Sequence, residues 1–321
     1  MNQRLILILL LAIALAVPLS LLAGRVWIDP LAPETRNASV ILMQLRLPRA
    51  VLALVLGAGL GASGAAMQGF LRNPLADPGL FGIAPGAALG AVLSFWTGYA
   101  ASTYLLPVFA LVGAGGAMAL LALIAGREGG VALFTLAGLM ISSLAGALMS
   151  LAISLSPTPF AMSEIVTWLM GTLADRSWRE VWIATPFTLA GIGVLIAAGR
   201  SLDALTLGEA AARSLGVDPR RLQALMIAGI GLTVGAGVAV AGIIGFVGLV
   251  VPHLVRPLTD RRPSSLIVPS ALAGALLLLI ADCLCRILPL AGGELRLGIA
   301  LSLLGAPFFL HLLLKMRRGL A

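Results

Sequence analysis

Few side chains in this sequence could do covalent or acid–base chemistry, and their spacing does not assemble a catalytic site. His253 and His311 lie far apart in the chain and have no H-E-x-x-H context for a metal. Serine and aspartate are present, but no G-x-S-x-G elbow holds them. Lys315 is the single lysine and follows three leucines, so a G-x-x-x-x-G-K-[ST] phosphate loop is excluded; any ATP must be handled by another subunit. Cys283 and Cys285, two apart in an apolar block, are badly spaced for a disulfide and too few for a metal. They read as small packing hydrophobes. Asp282 is the one acid well inside an apolar segment, with Arg286 at i+4, the spacing of an intrahelical ion pair. That makes Asp282 a structural partner rather than a proton carrier. Proton- or sodium-coupled transport needs ionisable groups at membrane depth, and an interior this poor in acids argues against it.

These residues are carried by a chain of 321 residues that is 60% hydrophobic and 11% charged, with a mean hydropathy of +1.07. A soluble protein is nearer half apolar and a quarter charged, so the solvent for most of this chain is lipid. Apolar blocks of spanning length run Leu5–Gly24, Ala50–Gly69, Leu80–Tyr99, Leu105–Ala125, Val131–Leu155 and Val181–Gly199. They continue with Leu222–Val240, a shorter Ala241–Val255, Leu266–Cys285 and Leu297–Leu314. The expected fold is an all-α polytopic membrane protein of about ten transmembrane helices, a single domain over residues 1–321. Arg4 ahead of the first block also fits a signal peptide ending near Ala23, but the run is long enough to span and more crossings follow, which favours a retained helix. With both ends on the cytoplasmic side, thirteen basic residues fall inside and eight outside, in the positive-inside sense. The net charge of +8 does not mark a nucleic-acid binder, because the arginines are scattered between apolar blocks with no basic run longer than two.

Two blocks repeat small residues at every fourth position: Gly57, Gly61, Ala65 and Gly69, then Gly138, Ser142, Gly146 and Ser150. Such ladders let helix backbones approach closely in lipid. Packing accounts for both, although hydroxyls in the second also suit a transport pathway. Pro74, Pro78 and Pro85 break one connection, and Pro252 and Pro257 another, each after a glycine-rich helix with an arginine nearby, a faint hint of a five-plus-five repeat. Between the sixth and seventh blocks, Thr206 to Arg221 reads TLGEAAARSLGVDPRR. Glu209 to Leu215 favours helix, Gly216 is a C′ stop, and Asp218 caps a second short helix with Pro219 at N1. The result is a small knuckle, either an ordinary amphipathic loop or a docking element for a cytoplasmic partner.

The run LRLPRAVLALVLGAGLGASGAAMQGFLRNPLADPGLFGIAPGAALG, from Leu45 to Gly90, resembles the signature of FecCD-type permeases of bacterial ABC importers for iron chelates, haem and vitamin B12. GEAAARSLGVDPRR is similar to the coupling helices of that family. GIIGFVGLVVPHLVR, from Gly242 to Arg256, and GGELRLGIALSLLGAPFFLHLLL are similar too, in the same order and over almost the whole chain. The resemblance implies a multi-pass inner-membrane permease, not an enzyme, working as a homodimer or with a paralogue. It also implies two ATPase subunits that bind ATP and Mg, and a periplasmic or lipid-anchored substrate-binding protein, with no cofactor on this chain.

By the same resemblance, Arg46, Arg49 and Arg286 would pair with glutamates of the binding protein, against the alternative of anchoring at the membrane interface, which Arg25 and Arg36 could equally perform. Asn73 and Leu75 match the cytoplasmic gate, against a plain proline-kinked turn. Leu207, Gly208, Glu209, Ala210, Ala211, Leu215 and Gly216 would seat in the ATPase. Ser142, Ser143 and Gly146 lie on the span that lines the pathway in relatives. Where relatives read E-[LMI]-P-V-G, this chain has Glu294–Leu295–Arg296–Leu297–Gly298, which places a charge near the external mouth. An iron chelate, siderophore or haem, ranks first as cargo because it is commoner among relatives; cobalamin is the alternative, and an ion-coupled secondary transporter is the competing class.

Overall fold

A computed structural model describes residues 3–24, 38–99, 102, 104–125, 131–156, 158–288 and 293–318. Arg25, Arg36 and Arg127, which entered the charge count, lie outside the described residues. The chain runs α1 (Gln3–Leu22), α2 (Ala38–Val40), a π-helical stretch Ile41–Arg46, α3 (Leu47–Phe70), α4 (Ile83–Trp96), α5 (Leu105–Ala125) and α6 (Val131–Ser154). It continues with α7 (Pro159–Leu169), α8 (Trp178–Leu205), α9 (Glu209–Ser214), α10 (Pro219–Ala241), α11 (Val247–Val255), α12 (Pro263–Ile287) and α13 (Leu297–Arg318). No strand occurs among the described residues. In lipid, a helix satisfies its own backbone polar groups, which is why runs this apolar adopt it.

Among the described residues, eight helices are long and apolar enough to cross a membrane. The other two expected spans are the 14-residue α4 and the 9-residue α11. At 1.5 Å per residue, neither reaches across a hydrocarbon core of about 30 Å unaided. Between the fifth and sixth blocks lies a separate helix, α7, started by Thr158, whose hydroxyl accepts from the Ala161 amide. The second helix of the knuckle is not short. Asp218 caps it and Pro219 opens it, as their types require, but it runs unbroken for 23 residues as α10. The apolar seventh block continues the helix that Asp218 starts.

Close backbone approaches set the helix order. A methyl group at Gly57, Gly61 or Gly64 would strike the carbonyls of Gly274, Ser270 and Gly248, so α3 lies directly against α12 and α11. The first small-residue ladder is therefore a packing seam. Gly86 and Gly90 meet Gly113 and Phe109, and Gly191 meets Gly229, making α4–α5 and α8–α10 antiparallel pairs. Gly59 against Thr188 and Gly69 against Leu202 make α3 and α8 parallel. One end of the bundle then gathers the starts of α3, α5 and α8 with the ends of α4, α10 and α12. The opposite end carries the knuckle. Arg46 binds carbonyls at the end of α1, and Gly298 at the start of α13 donates to Gly171, so Gln3 and the end of α13 both lie toward the knuckle. Phe134 ties α6 in, with ring centroids 5.1 Å from Phe70 and 5.2 Å from Phe81.

Candidate functional site

At the end opposite the knuckle, α3 and α12 trap a charge cluster. The Arg49 Nε and Nη2 donate to Asp282 at 2.8–3.0 Å, and Nη2 also lies 2.8 Å from a Glu294 oxygen. Arg286 Nε lies 3.2 Å from Asp282 Oδ2, an oxygen that the Arg49 Nε also reaches. Asp282 is fully buried and Arg286 nearly so. The i+4 pair expected within α12 exists, but Asp282 also serves Arg49 from a helix 233 residues earlier in the chain. Two arginines against two carboxylates leave the group neutral, which is what makes such burial tolerable. Arg286 also donates to the Cys283 sulfur at 3.2 Å, and both cysteines are free thiols.

Near Arg286, whose Nη1 donates to the Ala23 carbonyl at 3.4 Å, stands Arg46. Its Nη1 donates to the carbonyls of Leu21 and Leu22 at 2.8 and 2.9 Å, satisfying acceptors that the end of α1 leaves open. Thus the structure joins Arg49 and Arg286 through Asp282 and sets Arg46 on the last turn of a neighbouring helix.

At the knuckle end, Asn73 Oδ1 accepts from the Leu75 amide at 2.9 Å, an Asx turn that follows the positive-φ residue Arg72 (φ 51°). Asn73 is exposed and Leu75 half-buried. Gly208 (φ 102°) and Gly216 (φ 85°) bracket α9, both in conformations that favour glycine. The Val217 amide bonds the Ala212 carbonyl and the Gly216 amide that of Arg213, closing the helix as the Gly216 stop requires. Ala212 packs inward, while Leu207 and Leu215 are 67% and 63% exposed. Glu209 and Ala211 are half-buried and Ala210 is exposed. Large apolar side chains standing out among arginines mark a surface that fits a partner.

On α6, Gly138 packs against Phe81 but Gly146 has no heavy atom within 4 Å of where a side chain would begin. Ser143 is exposed and Ser142 half-buried. The second ladder is thus a packing seam at one end and uncovered at the other. Asp77 accepts from the Gly79 amide at 2.7 Å and caps a turn. The His253 ring meets Phe308 edge-on at 5.7 Å.

Two polar links, one at Gln68 and one at Asp203, were not read from the sequence. Buried Gln68 accepts from Arg256 at 2.5 Å and donates to the carbonyls of Gly248 and Leu249 at 3.4 and 3.3 Å, joining α3 to both ends of α11. A lone amide in a run of glycine, alanine and methionine is costly in lipid unless bonded, and that was the available signal. Asp203 accepts from the Ser264 amide at 2.9 Å and from its hydroxyl, clamping the end of α8 to the start of α12. Among the described residues, no group of three or more His, Cys, Asp or Glu is placed to hold a metal.

A bundle of apolar helices, with a neutralised charge cluster at one face and an apolar knuckle standing out at the other, has the build of a membrane permease. A family model for the FecCD transport family matches residues 5–315. The vitamin B12 import system permease protein BtuC of Escherichia coli O9:H4 is 39% identical over 99% of this chain and 97% of its own length. That of Salmonella arizonae is 39% identical over 99% and 96%. A solved metal-chelate type ABC transporter in an inward-facing conformation superposes with a TM-score of 0.90 at 33% identity, covering 98% of this chain and all of the other. The chain belongs to the FecCD transport family, and is an ABC importer permease of the inner membrane. Membership implies ATPase and substrate-binding partners.

Proposed function

We propose that this permease carries a cobalamin-class corrinoid inward, in place of the siderophore or haem ranked first on frequency. The observation that supports this reading is full-length similarity at 39% identity to vitamin B12 import permeases. In a deletion strain, ATP-dependent uptake of labelled cyanocobalamin should be lost while that of iron-siderophore and haem persists. Loss of iron-chelate uptake alone returns the cargo to that class, and uptake driven by the proton gradient without ATP overturns the importer reading.

In this reading two copies of the chain form the pathway, with Ser142, Ser143 and the uncovered stretch around Gly146 facing it, and Asn73 and Leu75 at its cytoplasmic gate. The residues from Leu207 to Gly216 seat in a cytoplasmic ATPase that holds ATP and Mg. The exposed pair Leu207 and Leu215 supports that seat. Ala211→Trp should reduce ATP-driven uptake on the order of tenfold, within the usual range of coupling free energies, with the melting temperature of the isolated permease unchanged. Normal uptake and co-purification with the ATPase would make the knuckle only a loop.

The extracytoplasmic protein docks over Arg46, Arg49 and Arg286. Arg49 and Arg286 are committed to Asp282, so charge reversal there mixes docking with folding. Arg46→Gln removes the charge while leaving an amide donor for the carbonyls at the end of α1. Binding-protein affinity should fall about tenfold at low salt and the deficit should shrink as salt rises past physiological strength. An affinity that is unchanged at every salt concentration would remove Arg46 from the docking surface.

A further inference from the structure

At the end opposite the knuckle, a cavity of about 380 Å³ opens between the ends of α4 and α10, the starts of α5 and α8, and α7. Its volume falls in the roughly 300–1,000 Å³ range of small-ligand sites. Phe95 and Trp168, ring centroids 6.3 Å apart in an edge-on pair, contribute an aromatic wall, with Leu106 and Pro107 beside them. Four charged residues line it: Glu164, Arg176, Arg179 and Glu180.

Two of the four are already spent. One Glu180 oxygen accepts from the Ser177 amide and hydroxyl, both at 2.8 Å, and the other from Arg179 Nε at 2.7 Å, a closed set at the start of α8. The other two are not. Among the described residues, neither Arg176 nor Glu164 has a hydrogen bond or an ion pair, and the Arg176 Nε is buried without a partner. Burial pushes the Arg176 guanidinium below its ordinary pKa, with Glu180 and Asp175 acting the other way from a distance and Arg179 and Arg296 adding to the fall. A half-buried guanidinium whose buried Nε has no acceptor is costly, and a cavity wall that keeps one open is suited to an oxyanion. Glu164 offers the opposite charge in the same cavity, and an aromatic face is a further attraction for an ammonium.

We propose that this cavity binds a zwitterion, with Arg176 holding its oxyanion and Glu164, beside Trp168 and Phe95, its ammonium. The group sits at the ends of membrane helices, where phospholipid headgroups lie, and exposed Val108, Met162 and Phe160 on the adjoining helices offer apolar surface for acyl chains. Phosphoethanolamine on a lipid and a free amino acid share the required chemistry.

The test uses the full chain, delipidated in detergent, with affinity read by calorimetry for dihexanoyl-phosphatidylethanolamine, dihexanoyl-phosphatidylglycerol, free phosphoethanolamine and glycine. The ethanolamine lipid should bind at least roughly tenfold more tightly than the glycerol lipid, the worth of one charged hydrogen bond. Arg176→Gln should weaken both lipids by a similar factor. Glu164→Gln, at an exposed position, should abolish the preference by weakening the ethanolamine lipid and strengthening the glycerol one. Soluble zwitterions binding as tightly as the lipid identify a free solute as the occupant. No preference between the two lipids in the parent chain, or a preference that survives Glu164→Gln, overturns the proposal even if Arg176→Gln fails to fold.

Discussion

Asp282→Ala should lower the stability of the folded permease by about 3–5 kcal/mol, the cost of leaving buried charge without its partner. Asp282 is the shared acceptor of two guanidiniums, and its removal leaves Arg49 and Arg286 facing each other with Glu294 alone to compensate. The double variant Asp282→Ala/Arg286→Ala should recover much of that loss. It restores neutrality and keeps the Arg49–Glu294 pair. Thermal unfolding of the single and double variants in matched detergent reads the difference as a coupling energy. Additive losses would show that the three side chains do not act as one group. The ion-coupled alternative makes a different forecast, because a proton carrier at Asp282 would abolish transport at unchanged stability. The geometry stands against it, since Asp282 is the shared acceptor that ties α3 to α12 and its removal cannot leave stability unchanged.

Gly64→Val should prevent the bundle from assembling, whereas Gly146→Val should not. At Gly64 the added atoms collide with the Gly248 backbone, and backbone cannot rotate away as a side chain can. Overpacking in a soluble core costs about 1–3 kcal/mol, and a collision between two backbones sits at or beyond the upper end of that range. At Gly146 there is open space, and valine, which ranks above glycine in helix propensity, adds no cost of its own. Fluorescence-detected size exclusion should therefore show Gly64→Val lost from the monodisperse peak and Gly146→Val retained. A Gly146→Val chain that folds but loses uptake locates that surface on the pathway or against a second subunit; full uptake removes it from both.

What the sequence disclosed depended on distance along the chain. The Asp282–Arg286 pair, the Gly216 stop and the Asp218–Pro219 start are decided within a turn or two, so residue type and spacing suffice to find them. The first small-residue ladder was readable because a period of four already states the geometry of one face. Its twin on α6 looked the same, yet of its two glycines Gly138 meets a neighbour and Gly146 does not. Which side of a ladder is covered depends on other helices. Arg49 illustrates the limit most plainly: it read as an external docking residue, and its carboxylate partner lies 233 residues away. Gln68 with Arg256, Asp203 with Ser264, and the Arg176–Glu164 cavity have the same character. The knuckle was located correctly but its second helix was cut short, because a cap marks where a helix begins and carries no information about its length.

That uncut helix has a mechanical meaning. From Pro219 to Ala241, α10 is a strut of 23 residues, roughly 34 Å long. Its far tip is fastened: the Ala241 carbonyl receives the Thr172 amide at 2.8 Å, and a methyl group at Gly242 would strike the Trp168 carbonyl. A rod pushed at its foot, with its tip tied to another segment, passes the motion on as a lever does. Tilting the foot by about 5° carries the other end through roughly 3 Å without unfolding a residue or needing a chain of intermediates. The loop joining α7 to α8 rides on that tip, so force applied at one membrane face arrives at the other as displacement, within the time it takes a helix to rock.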